Sequence, residues 1–350
     1  MPKGIVWMIV AAALVAAALW YRYIINRYNE YFGSRFETDE DYYLYLSGLR
    51  PGWKREPISF PSDKAQILRG FLFSYELPAY RGLLVVVHGM DTSMDHYMPE
   101  IEYFCRRGFL VMSYDSTGTG RSDGKDLVGL PQSPIDLKYA LLYKESRPDL
   151  NQYPLFLYGH SWGGFAVNAV SNYGSFPIRG IVSVSGFNSP LDVTRERAQR
   201  VVGNLANITM PVVEIHLFLS FGVKMFNTGC RGLARTRAKM LMLHSKDDNA
   251  VKYYHFEKYM QRFGHDPRFT FIPMDGRGHN LVTPPEVNAR LKALYKQKKA
   301  LEEQYAPAPV PEELLKPITD ENRVLRAAVD ETLMERFVAF YEDILGNLPA

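Results

Sequence analysis

Ser161 stands in Gly159-His160-Ser161-Trp162-Gly163, a Gly-x-Ser-x-Gly run between the apolar stretch Leu155 to Tyr158 and a helical stretch from Trp162 to Tyr173. In that strand-to-helix setting the turn leaves room only for glycine around the serine, whose hydroxyl is held out above the sheet. A serine hydroxyl is a poor nucleophile until an imidazole takes its proton, and a carboxylate must fix the imidazole's tautomer and stabilise the cation that forms. Both groups occur further along. His279 lies in Asp275-Gly-Arg-Gly278-His279-Asn280, a glycine loop after the last apolar run, a setting that none of the other seven histidines shares. Asp247 and Asp248 are adjacent carboxylates just after Met240 to His244. Serine, carboxylate and histidine together predict acyl transfer through an acyl-enzyme, with either aspartate as the acid.

Such groups need a rigid frame. Apolar runs at Leu83 to Val87, Phe109 to Tyr114, Leu155 to Tyr158, Ile181 to Val184, Met240 to Leu243 and Phe269 to Ile272 have the length of strands buried on both faces. Helical stretches at Tyr97 to Arg107, Pro134 to Ser146, Trp162 to Tyr173 and Tyr253 to Phe263 alternate with them. That alternation predicts a mostly parallel central sheet with helices on both faces. Two short strands, Pro57 to Phe60 and Gln66 to Tyr75, precede it. The stretch Phe187 to Ala238, with helical runs interrupted at Gly203, Pro211 and Gly222, is too long for a simple connection and predicts a helical cap. A second insertion runs from Thr283 to about Asp320 and contains a charged helix, Glu286 to Tyr305. One amphipathic helix, Glu321 to Leu345, is expected to close the chain.

From Pro57 to the carboxyl terminus the sequence resembles the α/β-hydrolase superfamily, in its serine esterase, lipase and aminopeptidase branch. Three features beside the serine run carry the likeness: Val85-Val-Val-His88-Gly89-Met90-Asp91, the loop Asp115-Ser-Thr-Gly118-Thr-Gly120-Arg121-Ser122, and the chain order Ser, Asp, His. The resemblance implies an oxyanion hole built from the backbone N–H groups of Met90 and Trp162, with His88 as a structural turn residue. It also implies Ser161, Asp248 and His279 as the catalytic residues. The family register favours Asp248 as the acid, with Asp247 as the runner-up. Glycine spacing at Gly118, Gly120 and Gly124 does not fit a dinucleotide cradle. A serine rather than aspartate nucleophile points away from dehalogenase and epoxide-hydrolase chemistry.

Composition narrows the remaining choices. Lys and Arg number 41 and Asp and Glu 38, leaving +3 and no field suited to nucleic acid. With two cysteines, Cys105 and Cys230, neither a disulfide framework nor a cysteine zinc site is expected, and no cofactor or metal is called for. Gly4 to Tyr21 is uncharged and predicts a single-pass membrane helix with Trp7, Trp20, Tyr21 and Tyr23 as interfacial anchors. A cleaved signal ending near Ala16-Ala17-Ala18 is the competing reading. The expected division is therefore an anchor at 1–27, a juxtamembrane connector at 28–56, and a hydrolase domain at 57–350 with cap 187–238 and insertion 283–320. Expected substrates are small-molecule or lipid esters, selected by the cap and by the insertion at 283–320, which follows His279 directly and is placed to reach over the same mouth. The alternatives are a proline-iminopeptidase-like peptidase, with Glu214 as an amine-holding carboxylate, and a non-catalytic anchored protein of the same fold.

Overall fold

The computed structural model describes residues 3–32, 34–38 and 40–347. Eight strands form one sheet: β1 (Lys54–Pro61), β2 (Ile67–Ser74), β3 (Leu83–Val87), β4 (Leu110–Tyr114), β5 (Leu155–His160), β6 (Ile178–Val184), β7 (Lys239–Ser245) and β8 (Phe269–Met274). Their spatial order is β1-β2-β4-β3-β5-β6-β7-β8. β1, β2 and β4 pair antiparallel, and every pair from β4 and β3 through to β8 is parallel. All five residues of β3 are buried, as expected for a strand covered on both faces.

The helices are α1 (Lys3–Phe32), α2 (Glu40–Leu49), α3 (Met98–Arg106), α4 (Gln132–Glu145), α5 (Pro148–Asn151), α6 (Trp162–Ala169), α7 (Pro190–Val202) and α8 (Ala206–Phe221). They continue with α9 (Gly229–Leu233), α10 (Tyr254–Phe263), α11 (Pro285–Tyr305), α12 (Glu312–Arg326) and α13 (Glu331–Gly346). One sheet face packs against α2, α3 and α13 through Tyr42, Phe104 and Phe337. The other packs against α4, α6 and α10 through Leu141, Val167 and Phe256. Burying each such side chain contributes about 1.5–3 kcal/mol before chain entropy is counted.

Three expectations change. The closing helix is two: α12 ends at Arg326 and α13 begins at Glu331. Asp330 causes the break, because its side chain accepts from Leu333 N at 3.0 Å as an N-cap while Arg277 Nη2 holds its other oxygen at 2.7 Å. The cap helix α8 runs through Pro211 rather than stopping there, with Met210, Val213 and Leu217 anchoring its inner side. The sheet begins at Lys54, earlier than Pro57, since the antiparallel register pairs Lys54 with Ser74. Just before it, Tyr42, Tyr43, Leu46 and Trp53 join the core beneath α3.

Candidate active site

The strand-to-helix turn after β5 places Ser161 at φ 57 and ψ −114, a conformation costly for a residue with a side chain. Its surroundings enforce that geometry. A Cβ on Gly159 would lie 2.3 Å from Gly163 O, and one on Gly163 would lie 2.0 Å from Val87 O. The β3 turn therefore presses directly on the elbow, and a Cβ on Gly89 would come within 3.5 Å of Ser161 Cβ.

Asp248 is buried in the turn after β7, where Oδ1 accepts from Ala250 N at 2.8 Å and Val251 N at 2.9 Å. Its Oδ2 lies 2.7 Å from His279 Nδ1. Burial pushes this carboxyl up, but hydrogen bonds from His244 and His279 outweigh it and hold the group well below the usual carboxylate range. Asp247 points elsewhere and is exposed, accepting from Ser245 Oγ and from Gly278 N at 3.3 Å. Of the two adjacent carboxylates, only Asp248 meets the imidazole.

Ser161, His279, Gly89 and Met90 line a cavity of about 460 Å³. Trp162 opens α6, so its backbone N–H is among those that helix geometry leaves without an internal acceptor. Its indole is buried and donates to Leu130 O at 2.8 Å. His88 is buried too, pushed down to about 4 by burial, and accepts from Ser116 N at 2.9 Å, which ties the β3 turn to the loop after β4. Asp115 in that loop accepts from Met94 N and Arg121 N, both at 2.9 Å.

The same cavity is lined by His96, Glu100, Asn288, Leu291, Asn322 and Arg326. Two of these, Asn288 and Leu291, come from the insertion at 283–320, which therefore reaches over the serine. Among the described residues, none that lines the cavity belongs to Phe187 to Ala238, so the cap does not form the wall expected of it. Glu214 on the cap is paired with Arg195 at 2.8 Å, away from this wall.

Residues 78–216 match the family described as serine aminopeptidase, S33. The fold also superposes on the esterase Pf2001 of Pyrococcus furiosus with a TM-score of 0.55 at 16% identity, covering 78% of this chain and 98% of that one. Another crystal form of Pf2001 gives 0.53 at 19% identity, covering 76% and 98%. The chain has the α/β-hydrolase fold. Among curated proteins, this hydrolase-fold chain is 25% identical over 226 residues to YfhR of Escherichia coli O157:H7, described as uncharacterized, covering 63% of this chain and 72% of that protein. YfhR of strain K12 matches to the same extent.

Two residues of this α/β-hydrolase fold carry no clear signal in the sequence. Gly89 N donates to Tyr97 Oη at 2.9 Å, Tyr97 Oη is 2.8 Å from His160 Nδ1, and His160 Nε2 is 3.1 Å from His279 O. Burial pushes His160 down to about 3, so the ring is neutral. A carbonyl only accepts, so His160 Nε2 carries the proton, Nδ1 is bare, and the phenol donates to it. One directed chain thus runs from the β3 turn to the backbone of His279. His160 had only its place inside the serine run as a signal. Tyr97 had none, because its partners arrive from distant parts of the chain.

Proposed function

We propose that this protein is a serine hydrolase that cleaves carboxylic esters through an acyl-enzyme on Ser161. The observation that carries the proposal is the 2.7 Å contact of His279 Nδ1 with buried Asp248, on an imidazole that shares the cavity of Ser161. With its proton on Nδ1 facing the carboxylate, His279 presents a bare Nε2 as the base for the Ser161 hydroxyl. Attack on the ester carbonyl forms a tetrahedral intermediate whose oxyanion accepts from Met90 and Trp162 N–H. The imidazolium then gives its proton to the leaving alcohol, and water activated by the same ring releases the acid. Asp248 stabilises the cation while it exists, and its lowered pKa keeps it charged throughout.

The cavity has room for an acyl group of modest size, and its mixed polar and apolar wall suits a functionalised acyl or alcohol portion. We place the protein at a membrane through α1, with residues up to about 27 as anchor, 28–56 as connector and 57–350 as the hydrolase domain. α1 is long and apolar enough to cross a bilayer, a property that signal sequences share. A peptidase is the second reading, favoured by the matched family's description and by Glu100, a carboxyl in the cavity wall able to hold a substrate amine.

Acyl esters and aminoacyl arylamides assayed side by side on wild type and Ser161→Ala separate these readings. Ester turnover should dominate and fall by about 10³-fold or more in the variant. Preference for the arylamides would support the peptidase. Turnover of neither substrate by folded protein would support the non-catalytic alternative.

A further inference from the structure

We propose that the corner joining α7 to α8 is a membrane-docking surface seated among the headgroups and upper acyl chains of the bilayer that holds α1. The proposal rests on α1 as a spanning helix. Val201, Val202, Leu205 and Ile208 are 38 to 61% exposed at this corner, a cluster of large apolar side chains that water disfavours. Beside them on α1 stand Trp20 and Tyr23, 46% and 58% exposed.

Geometry sets the depth of the corner. The uncharged run from Gly4 to Tyr21 is about 27 Å long as a helix, close to the hydrocarbon thickness, which puts Trp20 and Tyr23 at the interface. α1 cannot tilt freely away from the cap there. Ile24 and Tyr28 are buried in one cluster with Met210, Val213 and Leu217, and Tyr21 Oη lies 3.0 Å from His216 Nδ1. The corner is therefore held at the level of the interfacial aromatics.

Between α1 and the corner lies a groove of about 440 Å³, walled by Trp20, Tyr23, Val202, Leu205 and Ile208 and bordered by Arg27 and Arg197. Apolar walls with arginines at the border match the acyl chains and phosphates of a phospholipid. A soluble protein partner or a second copy would leave the continuity of the corner with α1 and its interfacial aromatics unaccounted for. Docking of this kind fixes how the body stands on the bilayer.

The test uses the full chain in two sets of nanodiscs, one with lipids brominated near the glycerol end of their acyl chains and one with lipids brominated near the methyl end. In a Cys230→Ser background, an environment-sensitive fluorophore is attached at Leu205→Cys, at Leu14→Cys within α1, and at Lys296→Cys on exposed α11. The label at 205 should be quenched by the shallow bromines and the label at 14 by the deep ones, each by about twofold or more, and the label at 296 by neither. Quenching at 14 without quenching at 205 would overturn the docking and leave the anchor intact. No quenching at 14 would overturn the anchor and the docking with it. Ile208→Cys gives an independent reading should the label at 205 disturb the corner. None of these outcomes depends on hydrolysis, so failure here and failure of the esterase proposal are separate results.

Discussion

Asp247 and Asp248 are neighbours in sequence with opposite surroundings, one exposed and one buried against His279. Asp248→Asn should lower kcat by about 10³- to 10⁴-fold, because an amide can no longer hold the imidazole in the tautomer that serves Ser161. Asp247→Asn should cost less than about tenfold, through its bonds to Ser245 and Gly278 alone. Steady-state kinetics on the pair checks both. Under the proposed mechanism Tyr97 positions the β3 turn and, through His160, the backbone of His279. Tyr97→Phe leaves Gly89 N without its acceptor and His160 Nδ1 without its donor, so kcat per titrated serine should fall about tenfold with KM nearly unchanged. A purely structural role would reduce the titratable fraction and leave kcat per site alone.

Glu100 gives a pH signature. Burial raises its carboxyl to about 7, against opposing contributions from its own backbone N–H and from Arg326. The folded state thus favours the protonated form, and the associated stability is full below the ordinary value of 4.5 and lost as pH rises through about 7. Because the carboxyl borders a cavity rather than solid core, about 1–2 kcal/mol of the dependence is expected from this group. Denaturant melts should show Glu100→Gln gaining more stability at about pH 8 than at about pH 5.

At the scale of elements, the central strands were legible because burial on both faces demands unbroken apolar runs, and β3 occupies the residues its run marked. The ends of elements were less so. The boundary between α12 and α13 depends on Asp330 meeting Arg277 from a remote loop, which periodicity within one helix cannot register. Length marks 187–238 and the insertion after His279 as two helical segments, but how far each lines the cavity depends on how α11 and α12 pack beside the serine, which no local pattern registers. α11 supplies Leu291 to the cavity wall, so Leu291→Trp should narrow the space for the acyl group. With esters of increasing chain length, kcat/KM should fall about tenfold for long acyl groups and less than about threefold for acetate. Equal loss across the series would remove α11 from substrate selection.

For the molecule as a whole, the near-neutral chain divides its labour by layer. The parallel strands end in the three loops that carry Ser161, Asp248 and His279, the β3 turn brings Met90 beside them, and α1 packs on the cap through Ile24 and Tyr28 while its earlier residues, Trp7, Met8 and Leu14 among them, face outward. Ser161 is the proposed nucleophile of an acyl-transfer enzyme. The most direct test of that role is the mass of the intact protein, followed by peptide mapping, after exposure to a fluorophosphonate. One phosphonyl adduct mapped to Ser161 in wild type, and none in a folded Ser161→Ala variant, is the predicted result. An adduct on another residue, or equal labelling of the variant, would contradict it.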